Sequence, residues 1–267
     1  MVQNTPDFTK KHKEQSQKLT QLQQTFLDLY TRHKHMVEDE AVILTSIYLK
    51  HLGTLQLELL EKQTEVSRLN MKMMMIQAAI NRNEKPDLDA IEADINKRLE
   101  VYYAQIRAKA EALDQAKEVL SHLLPPDEVK KLKEVFRLLC KRLHPDLNPN
   151  QTDTEKDLFI KVKAAYDLQQ LEVLQKILLS LEDPSANLYD YLTEDERDAQ
   201  IMFLEKQIAS LQDKIDELQQ NFPFDIANLL FDENYIAQKQ EEIKLQIQHC
   251  EEDIKKYAHI IYIMTDE

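Results

Sequence analysis

The chain has 267 residues, a formal net charge of −14 and a single glycine, Gly53. Charged residues make up 31% of it, and such a composition with long proline-free stretches is typical of long helices that pack along narrow seams. The excess of acidic residues argues against general nucleic-acid binding, which needs a basic surface. We expect an all-α, elongated protein without a thick globular core.

The sequence favours a reducing cytoplasmic location. Met1 to Gln17 is polar and has no apolar signal core, and no run approaches the roughly eighteen apolar residues of a membrane-spanning helix. The two cysteines, Cys140 and Cys250, are too few for a disulfide framework or a zinc site. We therefore expect no membrane partner, no metal and no cofactor.

Residues 1–112 predict a long helical hairpin. A strong apolar pattern covers Ala41–Arg82, and Pro86 ends that helix. Asp87 is placed to cap the next helix, which should fold back antiparallel because the connection is short. A weaker helix over Thr5–Tyr30 precedes them, and its apolar edge consists of Leu19, Leu22, Phe26 and Leu29.

The polar segment Arg32–Glu40 contains His33, His35 and three acidic residues. Such a set could ligate a metal ion, but no spacing in it is diagnostic of a metal site. We interpret the segment as a solvated helix face.

A basic amphipathic helix is predicted before the tripeptide His144-Pro145-Asp146. Between Val129 and Arg142 there are six basic residues and one acid, a local charge of +5 in an acidic chain. This contrast predicts a docking surface for an acidic partner, with a merely solvated helix face as the alternative. The opposite face is apolar and consists of Leu132, Val135, Phe136, Leu139 and Leu143.

Pro145 must end this helix, so we expect His144 and Asp146 to be presented on a loop. A second amphipathic pattern follows the loop. Two antiparallel helices with a polar connection fit the helical-hairpin template. The inward face of the second helix is predicted from Leu158 or Phe159, Val162, Ala165 or Tyr166, and then Leu168, Leu171 and Leu174.

This arrangement resembles the J domain of DnaJ-like co-chaperones. In that family an aromatic residue stands eight positions before the histidine, as Phe136 does here. Leu139-Cys140 takes the place of the usual Leu-Ala, which makes Cys140 a small buried residue and not a nucleophile. The second helix of the family contains Phe-x-x-Ile/Val-x-x-Ala-Tyr, which corresponds here to Phe159, Val162, Ala165 and Tyr166.

The resemblance covers residues 113–182, with Leu113–Leu124 as the first helix of the module. Two departures stand out, because the usual Tyr-x-x-Leu-Gly opening is absent and the loop after the tripeptide is acidic. The chain also has no Gly/Phe-rich or zinc-binding region, so the resemblance is to an atypical member. The expected module core is Leu132, Phe136, Leu139, Phe159, Val162, Ala165 and Tyr166.

The resemblance implies a non-enzymatic co-chaperone that docks on a DnaK-type chaperone and stimulates its ATP hydrolysis. No catalytic constellation is present in the sequence, since it lacks a Gly-rich phosphate loop and an HExxH motif. The residues expected to contact the chaperone are His144, Pro145, Asp146, Lys130, Lys133, Arg137, Lys141 and Arg142.

Residues 183–267 predict an antiparallel coiled-coil hairpin. Asp183-Pro184-Ser185 opens a loop, and Thr193 with Glu196 has the spacing of a capping box. Apolar seams then precede and follow the turn at Phe222-Pro223-Phe224. The hairpins would bind an unidentified client or form a homo-oligomer.

The alternative function is a coiled-coil scaffold or adaptor in which the J-like module is purely structural. On that interpretation His144→Gln should be silent. In a co-chaperone the same change should abolish stimulation and leave the helical content unchanged, because the side chain is expected on a loop.

Overall fold

The computed structural model describes residues 5–181 and 193–265. Within these two ranges the chain forms helices, turns and connecting segments and no strand, which confirms the all-α prediction. The predicted loop at Asp183-Pro184-Ser185 lies outside the described residues. In chain order the α-helices are α1 (Thr5–His35), α2 (Ala41–Tyr48), α3 (Thr54–Asn81), α4 (Leu88–Ser121), α5 (Pro126–Leu143), α6 (Asp153–Asp167), α7 (Leu171–Ser180), α8 (Glu194–Gln220) and α9 (Glu233–Thr265).

The described residues form two compact units, and each unit combines separate stretches of sequence. Unit 1 comprises the described parts of Met1–Ala41 and Leu123–Phe224, and unit 2 comprises those of Val42–His122 and Asp225–Glu267. This division differs from the consecutive segments 1–112, 113–182 and 183–267 that the sequence suggested. The reason is that the long helices pack on partners far away in the sequence.

In unit 1, α1 and α8 run parallel to each other. Gln15 Nε2 donates to Asp198 Oδ1 at 2.6 Å, and further along both helices in the same direction Lys18 pairs with Glu205 at 2.8 Å. The predicted capping box is confirmed, because the Thr193 side chain accepts from the Glu196 backbone N–H at the start of α8. Helix α8 belongs to unit 1 and α9 to unit 2, so the predicted hairpin of these two helices is not confirmed.

In unit 2, α3 packs against both α4 and α9. The predicted cap of α4 is confirmed, because the Asp87 carboxylate accepts from the Ala90 backbone N–H at 3.0 Å. Helices α3 and α9 run parallel, because Gln240 Nε2 of α9 donates to the His51 carbonyl just before α3 and, eleven residues further along both segments, Lys62 pairs with Glu251 at 2.7 Å. One buried apolar cluster of this unit consists of Ile76 of α3 with Ile91, Ile95 and Leu99 of α4.

The segment Leu113–Leu124 does not form the first helix of a J-like module. Residues up to Ser121 continue α4. The Leu113 side chain lies so close to Gly53 that a Cβ atom added to this glycine would overlap it. Leu113 and Ala116 are buried in unit 2. After α4 ends at Ser121, a short segment leads to α5. Pro126 occupies the first position of α5, where its missing N–H has no cost.

Candidate partner-docking site

Helices α5, α6 and α7 form the module that contains the tripeptide. The predicted helix before the tripeptide is confirmed as α5, and α7 packs against both α5 and α6. Asp127 and Glu128 lie in the first turn of α5 and Lys141 and Arg142 in its last, which suits the helix dipole. A second capping box, which the sequence analysis missed, starts α6 at Thr152.

The seven residues expected in the module core are all buried and belong to one apolar cluster. Phe136 and Tyr166 stack with ring centroids 4.0 Å apart, so the two motif aromatics join α5 to α6. Both residues are no more than 2% exposed. The cluster also contains residues of α1 and α8, which had been assigned to other parts of the chain.

The second helix of the module ends earlier than predicted. The prediction carried it to Leu174, but α6 ends at Asp167 and α7 begins at Leu171. Gln169 has a φ of +53°, and the next N–H, of Gln170, donates to the Ala165 carbonyl at 2.8 Å. This is the left-handed helix end that glycine usually provides, made here by glutamine.

The side chain of His144 is buried, with an exposed fraction of 6%. Its ring meets three aromatic rings edge to face, with centroid distances of 4.4 Å to Tyr30, 4.9 Å to Phe26 and 5.1 Å to Phe159. The expectation of a solvent-presented histidine is therefore wrong. Its backbone follows α5 as predicted, but α1 lies over the side chain.

The tripeptide backbone forms a tight turn that ends α5. The carbonyl of His144 accepts from the N–H groups of Leu147 at 3.0 Å and Asn148 at 2.9 Å. The Asn148 side-chain amide donates to the same carbonyl at 3.2 Å. Leu147 is fully buried and anchors the turn in the module core.

His144 is neutral at physiological pH. The Asp146 backbone N–H donates to His144 Nδ1 at 3.2 Å, so this nitrogen carries no proton. Burial, assisted by the charge of Lys163, lowers the pKa of His144 to about 4. The ring therefore behaves as an aromatic core residue whose polar atoms fix the turn, and it has no proton to donate from Nδ1.

The other two residues of the tripeptide are more accessible. Pro145 is exposed and Asp146 is half-buried. Partial burial raises the pKa of the Asp146 carboxyl, and its backbone carbonyl accepts from Gln200 Nε2 of α8 at 2.9 Å. Both α1 and α8 therefore contact the tripeptide.

Most of the basic surface of α5 remains open to solvent. Lys130 and Lys141 are exposed, and Lys133 and Arg142 are partly exposed. Arg137 differs, because its Nη2 lies 2.5 Å from Asp28 Oδ1 of α1. The structure thus places seven of the eight predicted contact residues at least partly at the surface and buries His144.

A polar cluster joins α1 to the end of α6. The π-helical turn Met36–Glu40 lets His35 reach two acids, with Nδ1 2.8 Å from Asp39 Oδ2 and Nε2 3.0 Å from Glu40 Oε1. Asp39 also accepts from Gln169 Nε2 at 3.1 Å and from the Tyr166 hydroxyl at 3.4 Å. The interpretation as a solvated face is wrong for His35 and Asp39, whose side chains are only 13% and 12% exposed.

The two partners in this cluster stabilise each other's charged forms. Burial disfavours charged His35, but its hydrogen bonds to Asp39 and Glu40 outweigh this and raise its pKa. Burial likewise opposes the charge of Asp39, whose pKa is nevertheless lowered by hydrogen bonds from His35 and Gln169. Across residues 5–181 and 193–265, no group of three or more His, Cys, Asp or Glu side chains is placed to hold a metal ion.

Comparison with family models, curated proteins and solved structures finds no match to this chain. Among the helices of the described ranges, none is long and apolar enough to cross a membrane. Any functional assignment therefore depends on the residues and geometry of unit 1.

Proposed function

We propose that this protein is a J-domain-type co-chaperone that docks on a DnaK-type chaperone and stimulates its ATP hydrolysis. The observation that carries the proposal is the placement of His144-Pro145-Asp146 at the end of the basic helix α5. The seven core residues that the resemblance names are buried together behind that helix. This combination of motif, helix order and core supports a J-like module better than any enzymatic site in the described residues.

The charge of α5 would bring the partner to the tripeptide. Lys130 and Lys141 are eleven residues apart, about three helical turns, so they lie on the same side of α5. An acidic surface on the chaperone would be attracted to this row over a distance of about 10 Å at moderate salt. Such steering mainly raises the association rate, so the complex should be transient and sensitive to salt.

The remaining helices would supply the specificity of the co-chaperone. Units 1 and 2 both contain long helices with exposed apolar side chains, including Met202 in unit 1 and Tyr262 in unit 2. These surfaces are candidates for client binding or self-association. The protein would work in the cytoplasm without a cofactor or catalytic activity of its own.

A scaffold with a purely structural module is the second candidate. The burial of His144 favours it, because a core histidine needs no chaperone to explain its presence. For the same reason His144→Gln is a poor test, since this change would disturb both the core and any docking surface. Asp146 is the better position, because it is partly exposed and Asn has nearly the same shape.

The test is single-turnover ATP hydrolysis by a DnaK-type chaperone at low salt, measured over a range of co-chaperone concentrations. We expect wild type to stimulate hydrolysis and Asp146→Asn to lower the stimulation about tenfold or more. The matched control is Asp153→Asn, which makes the same change on the exposed start of α6.

A second pair of variants tests the basic surface. Lys130→Glu with Lys141→Glu should raise the concentration needed for half-maximal stimulation, because it reverses the charge that attracts the partner. Lys161→Glu with Lys176→Glu reverses two exposed charges on α6 and α7 and should change little. If wild type fails to stimulate at every concentration, the co-chaperone proposal is wrong and the scaffold is the better account.

A further inference from the structure

Helices α1 and α8 together cover the tripeptide. Two of the three rings around His144, those of Phe26 and Tyr30, belong to α1, and only Phe159 belongs to the module. From α8, Gln200 Nε2 donates to the Asp146 carbonyl. The burial of His144 therefore depends on helices outside the module.

The cover also occupies part of the proposed docking surface. Asp28 of α1 pairs with Arg137, so an acid of the same chain satisfies a cation that an acidic partner would otherwise contact. The pair is partly exposed, with 36% of the Arg137 side chain and 59% of the Asp28 side chain accessible. An external carboxylate could replace Asp28 there at little cost.

We infer that the α1–α8 pair is a reversible cover, and that it competes with the chaperone for the surface around His144 and Arg137. This inference rests on the proposed function. In the closed form the cover holds His144 away from any partner. In the open form the pair is displaced and the whole tripeptide is accessible.

The module has contacts that do not involve the cover. Helix α7 packs against both α5 and α6, and the Phe136–Tyr166 stack joins α5 to α6 directly. Helices α1 and α8 also pair with each other, through Gln15–Asp198 and Lys18–Glu205. The boundary between the pair and the module is therefore a natural place for opening.

Opening is rare because it exposes buried aromatic surface. A partner that binds only the open form has an apparent affinity reduced by the fraction of molecules that are open. Wild type should therefore reach full stimulation, but only at high concentration. Loosening the cover should lower that concentration and leave the plateau unchanged.

Cys140 provides a direct reporter of opening. This residue is fully buried, and it belongs to the same apolar cluster as Phe26 and Leu27 of α1. Displacing α1 would uncover this part of α5 and expose the thiol to a labelling reagent. The other thiol, Cys250, lies on α9 and is removed by Cys250→Ser for the experiment.

The experiment measures Cys140 labelling and ATPase stimulation on the same full-length proteins. Tyr30→Ala removes a ring that packs on His144 and should raise the labelling rate and lower the half-maximal concentration, each about tenfold. Asp28→Lys leaves the core intact. It should raise the labelling rate and lower the half-maximal concentration, each about twofold to fivefold. Glu205→Lys breaks the exposed Lys18–Glu205 pair, which joins α1 to α8 and involves no residue of the module, and should change neither the labelling rate nor the half-maximal concentration by more than about twofold.

Three outcomes are distinguishable. Parallel changes in labelling and half-maximal concentration, with a constant plateau, support the cover. Faster labelling at an unchanged half-maximal concentration overturns the cover and leaves the co-chaperone function standing. Faster labelling with no stimulation by any variant overturns the proposed function, and the cover with it.

Discussion

His144 and His35 lie in the same unit, and each marks one of the places where α1 meets the module. His144 is surrounded by aromatic rings, and its pKa falls to about 4. His35 lies between two carboxylates, and its pKa is raised. One residue type thus serves as a neutral core ring in one place and, in the other, lies between acids that favour its charged form. Helix α1 is held by aromatic packing near the tripeptide and by charge near the end of α6.

The largest expected effect is the loss of a ring from the aromatic contact. Phe26 is 1% exposed, and Phe26→Ala should lower the free energy of unfolding of unit 1 by about 3–5 kcal/mol. Urea denaturation followed by circular dichroism measures this change. Phe203→Ala on α8 is the control, because that ring is 39% exposed and its removal should cost much less. A loss below about 1 kcal/mol for Phe26→Ala would show that α1 is not packed on the module.

The next effect is the pH dependence caused by His144. Its pKa in the folded protein lies below the unfolded value, so acid favours the unfolded state. Stability should fall as the pH drops from about 6.5 to about 4, by up to about 3 kcal/mol from this residue alone. The difference in unfolding free energy between wild type and His144→Phe isolates this contribution from that of the carboxylates. A difference that stays constant between pH 7 and pH 4.5 would mean that His144 is accessible to solvent.

His35 should show the opposite sign of pH dependence. Its raised pKa means that its contribution is complete below pH 6.5 and is lost as the pH rises through the folded pKa. We expect His35→Gln to cost about 1–2 kcal/mol at pH 6 and less at pH 8. The control is His249→Gln, because this histidine is exposed and lies 3.9 Å from Glu252. Its cost should be small at both pH values. An equal cost of His35→Gln at both pH values would contradict the charged cluster.

The smallest expected effect concerns the exposed ion pair between Asp28 and Arg137. Because both side chains are more than a third exposed, Asp28→Ala should change the free energy of unfolding by less than about 1 kcal/mol. The change should shrink further at high salt, which screens exposed charges. Thermal denaturation at low and high salt measures both. A larger, salt-independent loss would mean that this pair holds α1 in place as strongly as the aromatic contact does.

The local features of the fold could be predicted from the sequence. The apolar face of α5, the stop at Pro145 and the cap at Thr193 follow from periodicity and backbone chemistry within a few residues. Periodicity placed Phe136 on the buried face and offered Ala165 or Tyr166 on the next helix, the resemblance named all three as core, and the rings of Phe136 and Tyr166 are stacked. Chaperone docking itself stays a prediction.

The long-range features could not be predicted. The apolar edge of α1 was visible, but an apolar edge does not name its partner, so the burial of His144 under Phe26 and Tyr30 was missed. The separation of α8 and α9 into different units was missed for the same reason, since heptad-like seams specify a face and not a pairing. The helix end at Gln169 was missed because glutamine rarely adopts a positive φ.

The parallel pairing of α1 with α8 affects how the protein is made on the ribosome. Gln15 and Asp198 are 183 residues apart, so α1 is synthesised long before its partner exists. At roughly 5–20 residues per second, the delay is about 10 to 40 s. During this time α5, α6 and α7 emerge, and α1 can reach the module before it can reach α8. The nascent chain would therefore need its early apolar surfaces shielded, and the tripeptide would be complete before α8 is available to cover it.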